Sequence, residues 1–463
     1  MFVFNNRYIP YRNLVCFFTE SVAIFFSVVA SYSVLNRGMG VDVLQMNNII
    51  LRGVIIALSA QFCMYILDLY DLNITLSLYD ILFSVIFTTG FIFIFIGLFS
   101  IIIPSLGIGG RMYYLSGAFI FLFLLLWRTV LEVYINKNAP SNNILIFGTG
   151  KIADEVAELI GNSRRLGFNF LGFIENRSHQ AAASQSDSNI YDFHDLGTII
   201  HRESVTTIVV APMDRRRNLP IREMLELKVG GLQVIEWPAF YEKMSGKIPV
   251  QNLPPSYFVF SDGFQNQYLF KLLSAASSFL VAVLGIILLA PVFLVVPVLI
   301  KLDSRGPVFY YQTRVGIHNR IFRLFKFRTM IEDAEKETGA VWADSEDSRI
   351  TRVGKYLRKY RVDEIPQLIN VLKGDMNLVG PRPERPEFVR ILEKELPYYK
   401  IRHSIRPGVT GWAQVKFSYC GTIEESKEKL EYDLFYIKNK TFKLDLYIIF
   451  KTVKALLLAR GSR

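Results

Sequence analysis

Apolar residues along this chain gather in long runs at two places and thin out elsewhere. Four runs, at residues 14–35, 49–69, 78–103 and 113–135, each exceed the roughly 20 residues of helix needed to cross a hydrocarbon core about 30 Å thick. Short loops join them, so the pattern predicts a four-helix transmembrane bundle over residues 1–137. An even number of spans brings the chain back to its starting side, which we take to be the cytoplasm. A fifth uncharged run, residues 272–300, is flanked by Lys271 and Lys301 and interrupted by Pro291 and Pro297. By composition it reads as one more crossing, which would strand everything after it on the far side. A helix broken near Ala290-Pro291, entering and leaving by one leaflet, keeps both lysines together. Proline removes a backbone donor and crowds the preceding turn, so a bend there has a physical cause.

Between these regions the pattern changes to short buried strands. Ile144-Leu-Ile-Phe147 is followed by Gly148-Thr-Gly150 and a helical stretch to Ile160, the order of a dinucleotide-binding turn. A second strand at residues 170–174 ends in Glu175, where a ribose-binding acid would lie. Further strands at 207–210 and 232–235 predict a small parallel, Rossmann-like α/β domain over residues 138–264, with the polar stretch 178–189 as a loop. Gly148, Gly150 and Glu175 are candidate nucleotide contacts, although a module of this kind that binds nothing fits the same pattern.

Residues 303–415 hold the chemistry. Ile365, Leu368, Ile369 and Leu372 repeat at helical spacing, Pro366 suits a first turn and Gly374 is a natural stop, so a helix is predicted to begin at about Asp363. A carboxylate at that end of a helix is favoured in its ionised form. Asp363 could then attack phosphorus while Glu364 holds a divalent cation; an N-cap with first-turn decoration accounts for the same residues. Two flanking segments favour the chemical reading. Phe322-Arg-Leu-Phe-Lys326-Phe-Arg328 alternates so that Lys326 and Arg328 share a strand face, and Gly380-Pro-Arg382-Pro-Glu-Arg385-Pro holds arginines on a stiff backbone suited to oxyanions.

Composition and charge sharpen this picture. The chain is 51% hydrophobic, with 37 Phe and 23 Tyr, which points to a membrane. Its excess positive charge is confined to residues 271–463, which carry 33 Lys and Arg against 21 Asp and Glu; residues 1–270 carry 19 against 20. Such a domain suits phosphates and acidic headgroups. Nucleic acid is not an expected partner, because the basic residues form no recognition module. The three cysteines, Cys16, Cys63 and Cys420, lack metal-ligand spacing, and no cleavable signal peptide is expected. Residues 442–458 alternate lysines with apolar positions at helical spacing, as in a helix lying among headgroups or one packed on the core.

The run from Asp363-Glu-Ile-Pro-Gln-Leu-Ile-Asn to Gly380-Pro-Arg-Pro383, with Lys326-Phe-Arg-Thr-Met330 before it and Arg406-Pro-Gly-Val-Thr-Gly-Trp-Ala-Gln414 after it, resembles the bacterial polyprenyl-phosphate hexose-1-phosphate transferases. The four spans and Rossmann-like middle are similar to long-form members, including undecaprenyl-phosphate glucose and galactose phosphotransferases of exopolysaccharide systems. The resemblance implies an α+β membrane protein with a monotopic, mostly helical catalytic domain over residues 265–463 on a re-entrant helix, at the cytoplasmic face of the bacterial inner membrane. It further implies a ping-pong mechanism. Asp363 would attack the β-phosphate of a UDP-sugar and release UMP, and undecaprenyl phosphate would resolve the intermediate. Glu364 would ligate Mg2+, with Arg382, Lys326 and Arg328 on phosphate groups and Arg385 beside them. Many relatives break the re-entrant helix at Ser-Pro, where this chain has Ala290-Pro291. Membrane lipid and a second copy of the chain, as a homodimer, are the remaining expected partners. A nucleotide-sensing scaffold of an assembly complex, resting on the Gly148 turn and the four spans, is the alternative.

Overall fold

The computed structural model describes residues 2–4, 7–9, 11–35, 43–66, 82, 85–86, 88–94, 110–137, 142–163, 167–175, 189–211, 220–264, 268–332, 334, 349–417 and 422–457. The fold is mostly helical α+β, in two compact units: Met1–Val3 with Tyr8–Phe240, and Phe4–Arg7 with Tyr241–Arg463.

In the first unit α1 (Tyr11–Leu35) packs against α2 (Val43–Ile66) and α3 (Gly110–Lys137). Ile24 and Val28, Ile56, Ala60 and Met64, and Ile120 and Leu124 face one another at helical spacing and are buried together. Inside this cluster Arg128 Nε lies 2.7 Å from Glu20 Oε1, both side chains almost wholly buried, so α1 and α3 are tied by a paired charge that hydropathy alone did not single out. Among the described residues, Val15–Leu35 is the one helix that is by itself long and apolar enough to cross a bilayer; Ile49–Met64 and Tyr114–Val130 are shorter apolar helices. The expected run at residues 78–103 lies largely outside the described residues.

The same unit contains a five-stranded parallel sheet. β1 (Asn142–Phe147), α4 (Lys151–Gly161), β2 (Phe168–Glu175), β3 (Ile190–Asp192), α5 (Leu196–Arg202), β4 (Val205–Val210), α6 (Ile221–Val229) and β5 (Gln233–Glu236) follow in sequence, and the strand order is β3-β2-β1-β4-β5. Ile144, Leu145 and Ile146 are all fully buried, as expected of a central strand covered on both faces.

The second unit is built on a bent apolar pair. α7 (Tyr268–Leu288) and α8 (Ala290–Asp303) meet at 61° across Leu289. Pro291 stands second in α8, where its missing N–H costs nothing, and Leu289 O accepts from Val292 and Phe293 N at 2.9 and 3.2 Å. Along α7 a narrow seam of small residues, Ser274, Ser278 and Ala282, is buried; most other apolar positions, such as Leu280, Leu284 and Ile287, are exposed. Ser278 Oγ accepts from Leu378 N (3.1 Å), and Ala282 packs with Leu324, Val371 and Met376.

Beyond the pair come β6 (Phe309–Val315), antiparallel to β7 (Ile321–Phe327), then α9 (Arg352–Lys359), α10 (Gln367–Lys373), β8 (Asn377–Val379), α11 (Pro386–Glu395), β9 (Gly408–Thr410) parallel to β8, α12 (Ile423–Lys438) and α13 (Phe442–Leu457). α13 packs on the core along one side and leaves apolar residues exposed on the other. Leu444, Asp445 and Ile448 are buried, with Tyr436 Oη donating to Asp445 at 2.7 Å, while Phe442, Leu446, Phe450 and Val453 are exposed. Residues 241–264 fasten to α12 and its neighbours. Lys438 Nζ donates to Glu242 Oε2 (2.7 Å) and Tyr257 Oη (2.9 Å), and Trp412 Nε1 donates to Gly246 O (2.8 Å).

Candidate active site

Three segments of the second unit converge. β7 carries Lys326 at its penultimate position, a 3-10 turn over Val362–Glu364 carries the two carboxylates, and the loop between β8 and α11 carries Arg382. The predicted helix start at Asp363 needs correction. Arg361 is left-handed (φ 53°), Glu364 N bonds Arg361 O, Ile365 N bonds Val362 O, and α10 itself starts only at Gln367. Pro366 explains the delay. Lacking an N–H, it cannot make the i−4 bond to Val362 O, so tighter i−3 bonds carry the chain through the turn. Gly374 ends the helix at φ 79°, as the sequence indicated.

Within this frame Arg382 grips Glu364 with two nitrogens, Nη2 to Oε1 at 2.7 Å and Nη1 to Oε2 at 3.3 Å. Lys326 Nζ sits 3.1 Å from Glu364 Oε1 and 3.7 Å from Asp363 Oδ2. Two adjacent carboxylates so placed do not behave alike. Burial raises the pKa of Asp363, a rise that Lys326 opposes and the neighbouring Glu364 charge reinforces. For Glu364 burial also pushes upward, but Arg382 and Lys326 outweigh it and hold the group well below the ordinary range. The pair thus consists of one firmly ionised carboxylate locked to cations and one whose pKa is raised by burial.

The remaining predicted residues are dispersed. Arg328 lies just past the end of β7 and is buried. Its guanidinium donates to Ser304 O, Ser304 Oγ and Arg305 O at 2.6–2.9 Å, clamping the chain that leaves α8. Arg385 stands at the start of α11, 3.6 Å from Glu387 and over the Phe388 ring. Gly148 (φ 108°) and Gly150 (φ 105°) form the β1–α4 turn in the first unit, where Thr149 Oγ1 donates to Glu175 Oε1 at 3.3 Å.

Sequence reasoning missed four side chains. Arg358 and Arg361 lower the pKa of Asp363 and Glu364 respectively, and a basic run just ahead of the dyad was the available signal. Asn370, fully buried, accepts from Phe325 N (3.0 Å) and donates to Arg323 O (2.7 Å), pinning the strand that bears Lys326. Arg402 donates to Arg382 O (2.9 Å) and to Asp433 Oδ2 (2.8 Å), supporting the arginine loop from behind. A buried Asn among Ile, Val and Leu was readable as an anomaly; the support from Arg402 needed tertiary structure.

A magnesium ion takes oxygen ligands, commonly one or two carboxylates completed by water and substrate phosphates. Adjacent Asp363 and Glu364 supply that donor type, so the residues present fit such an ion. Among the described residues no cluster of three or more His, Cys, Asp or Glu could hold a metal by protein ligands alone.

A family model described as bacterial sugar transferase matches residues 270–459. Over 184 residues the chain is 50% identical to a UDP-N-acetylgalactosamine-undecaprenyl-phosphate N-acetylgalactosaminephosphotransferase of Aeromonas hydrophila, covering 40% of this chain and 43% of that protein. It is 29% identical over 344 residues to a UDP-glucose:undecaprenyl-phosphate glucose-1-phosphate transferase of Xanthomonas campestris pv. campestris, covering 70% and 69%. An uncharacterized sugar transferase of Bacillus subtilis, EpsL, is 39% identical over 190 residues, 40% of this chain and 85% of that protein. The chain therefore spans less than half the length of the Aeromonas protein.

Proposed function

The chain belongs to the bacterial sugar transferase family, and on that premise we propose that it transfers a sugar 1-phosphate from a UDP-sugar to undecaprenyl phosphate, initiating exopolysaccharide or other surface-glycan assembly. The observation that carries the reading is the buried Asp363–Glu364 pair with Lys326 and Arg382 drawn onto it. Phosphoryl transfer needs a nucleophile in line with the leaving group and fixed positive charge around the phosphorus, and a buried carboxylate with two cations beside it supports that reading.

In the first half-reaction an ionised Asp363 oxygen attacks the β-phosphorus. The bond to the bridging α–β oxygen breaks, and that oxygen leaves with UMP, giving a sugar-phosphoryl aspartate. Lys326 and Arg382 balance charge on the phosphate oxygens. In the second half, a phosphate oxygen of undecaprenyl phosphate attacks the same phosphorus, restoring the Asp363 carboxylate and releasing undecaprenyl-diphosphate-sugar. Glu364 would hold magnesium, which would supply further screening of the diphosphate charge.

The exposed apolar sides of α7 and α8, together with the bend at Leu289, support a re-entrant pair in one leaflet, and α1 supports insertion of the first unit; on this reading that unit is a four-span bundle in the bacterial inner membrane with the catalytic residues on the cytoplasmic side. On this reading residues 1–137, 138–264 and 265–463 are the membrane, Rossmann-like and catalytic modules, and the chain associates as a homodimer. The turn at Gly148 and Gly150 and its Thr149–Glu175 contact favour a second reading, a nucleotide-sensing scaffold.

Assay of purified protein across a small panel of UDP-sugars decides between them. UMP release, and a radiolabelled sugar-phosphate adduct lost in Asp363→Asn, is the expected outcome. Release of UDP, with the sugar alone transferred, makes the protein an ordinary glycosyltransferase. No turnover, with nucleotide binding that Gly150→Trp destroys, selects the scaffold.

A further inference from the structure

Residues 349–361 contain six Lys and Arg and no Asp or Glu. Two of these cations turn inward, Arg349 to Ala334 O and Arg358 to Thr329 Oγ1. On α9 the other face is exposed along one stripe made of Arg352, Lys355, Tyr356, Lys359 and Tyr360, and among the described residues Arg352, Lys355 and Lys359 have no ion-pair partner. Tyr356 is 68% and Tyr360 54% exposed, and Lys359 Nζ lies 5.7 Å from the Tyr360 ring centre. A helix face that simply meets water mixes charge signs and rarely presents two large aromatic rings; one sign of charge beside tyrosine is the signature of a headgroup layer.

The position of α9 agrees. Leu357, on its opposite side, is buried with Val296 and Ile300 of α8, and Val353 N donates to Asp303 Oδ2 (2.9 Å) at the last residue of α8. Thr351 caps α9 by accepting from Gly354 N (3.0 Å). Gly354 has no room for a side chain, since an added Cβ would lie 2.1 Å from Thr329 O. The helix is therefore held flush against the point where the apolar pair comes to its end, with Leu302 exposed beside it.

We propose that this face of α9 is a docking surface for anionic phospholipid headgroups, its lysines and Arg352 on lipid phosphates and its tyrosine rings at the level of the glycerol backbone. The proposal rests on the membrane reading of α7 and α8 and extends it to a choice of lipid. Electrostatic attraction of this kind depends on anionic lipid and is screened by salt.

The full chain, reconstituted into nanodiscs of phosphatidylcholine alone or with phosphatidylglycerol, is treated with acetic anhydride, and acetylation at Lys355 and Lys359 is read by mass spectrometry. The neutral reagent is not itself repelled by the anionic surface. Labelling of both lysines should fall about fivefold with phosphatidylglycerol and recover at high salt. Equal labelling in the two disc types, or protection that is the same in phosphatidylcholine and indifferent to salt, overturns the proposal. Co-elution of the protein with lipid is scored separately. A chain that stays out of the discs refutes the membrane reading, whereas one that enters with unprotected lysines refutes only the lipid surface.

Discussion

Asn370 brackets Leu324: its carboxamide oxygen accepts from the Phe325 N–H at 3.0 Å while its nitrogen donates to Arg323 O at 2.7 Å, one residue either side of Leu324. Because Asn370 stands two turns beyond Asp363 and Phe325 directly precedes Lys326, this one amide sets the register between Asp363 and Lys326. Asn370→Ala leaves a buried N–H and carbonyl unpaired and should destabilise the second unit by about 2–4 kcal/mol. Where the protein still folds, kcat should drop up to roughly 100-fold with a smaller change in KM, as misplacement of a reacting pair does. Asn370→Asp, which keeps the acceptor alone, should fall between. Steady-state UMP release gives both parameters.

On the proposed mechanism Asp363 attacks as a carboxylate, so activity should fall as pH drops through its raised pKa, above the range of an ordinary aspartate. Lys326 opposes that rise. Removing the cation in Lys326→Met therefore drives the pKa further up, and the acid limb of the kcat profile should move to higher pH as well as losing height. A limb that stays in place would show that Lys326 acts only in binding.

Glu384 is the opposite case. Burial pushes its pKa upward, but Lys429, Arg402 and Arg314 together bring it down to about 2. A carboxylate depressed in the folded state stabilises above its unfolded pKa and loses that contribution as pH falls toward the folded value. Thermal unfolding in detergent should show stability declining between about pH 4.5 and 2. Glu384→Gln should flatten that decline while lowering stability at neutral pH.

Lys438 is buried against Glu242, Tyr257 and the backbone of residues 263–264. Glu242→Ala removes its counter-charge and should cost about 3–5 kcal/mol, because a buried ammonium is left without compensation. The double change Glu242→Gln with Lys438→Met should recover much of the loss. Comparing midpoints of chemical unfolding for the single and double variants measures it.

Much of the architecture could be read from hydropathy because it depends on near-neighbour pattern. The strands around Ile144, Phe173, Ile208 and Ile235 lie where apolar runs placed them, and the break beside Pro291 follows from one missing N–H. β3 went unread since three residues after a polar loop carry little pattern. At the site, sequence brought Asp363, Glu364, Lys326 and Arg382 into one proposal, and the fold sets them within contact of one another. The apolar period of Ile365 and Leu368 points to a helix start at Asp363, but the donor that Pro366 lacks delays it to Gln367. Alternation places Arg328 on the strand face of Lys326, but β7 stops at Phe327 and the guanidinium turns to Ser304. Alternation can assign a face only while the strand lasts.

The main chain at Arg382 is anchored at several points. Its carbonyl is taken by Arg402, Pro381 O accepts from Gly408 N at 3.0 Å, and Gly380 N donates to Thr410 O at 2.9 Å. The guanidinium thus stands on a fixed post. On the two-step cycle proposed above, its rotation alone would carry one positive group from the nucleotide's phosphate to the lipid's, with no rebuilding of the loop between guests.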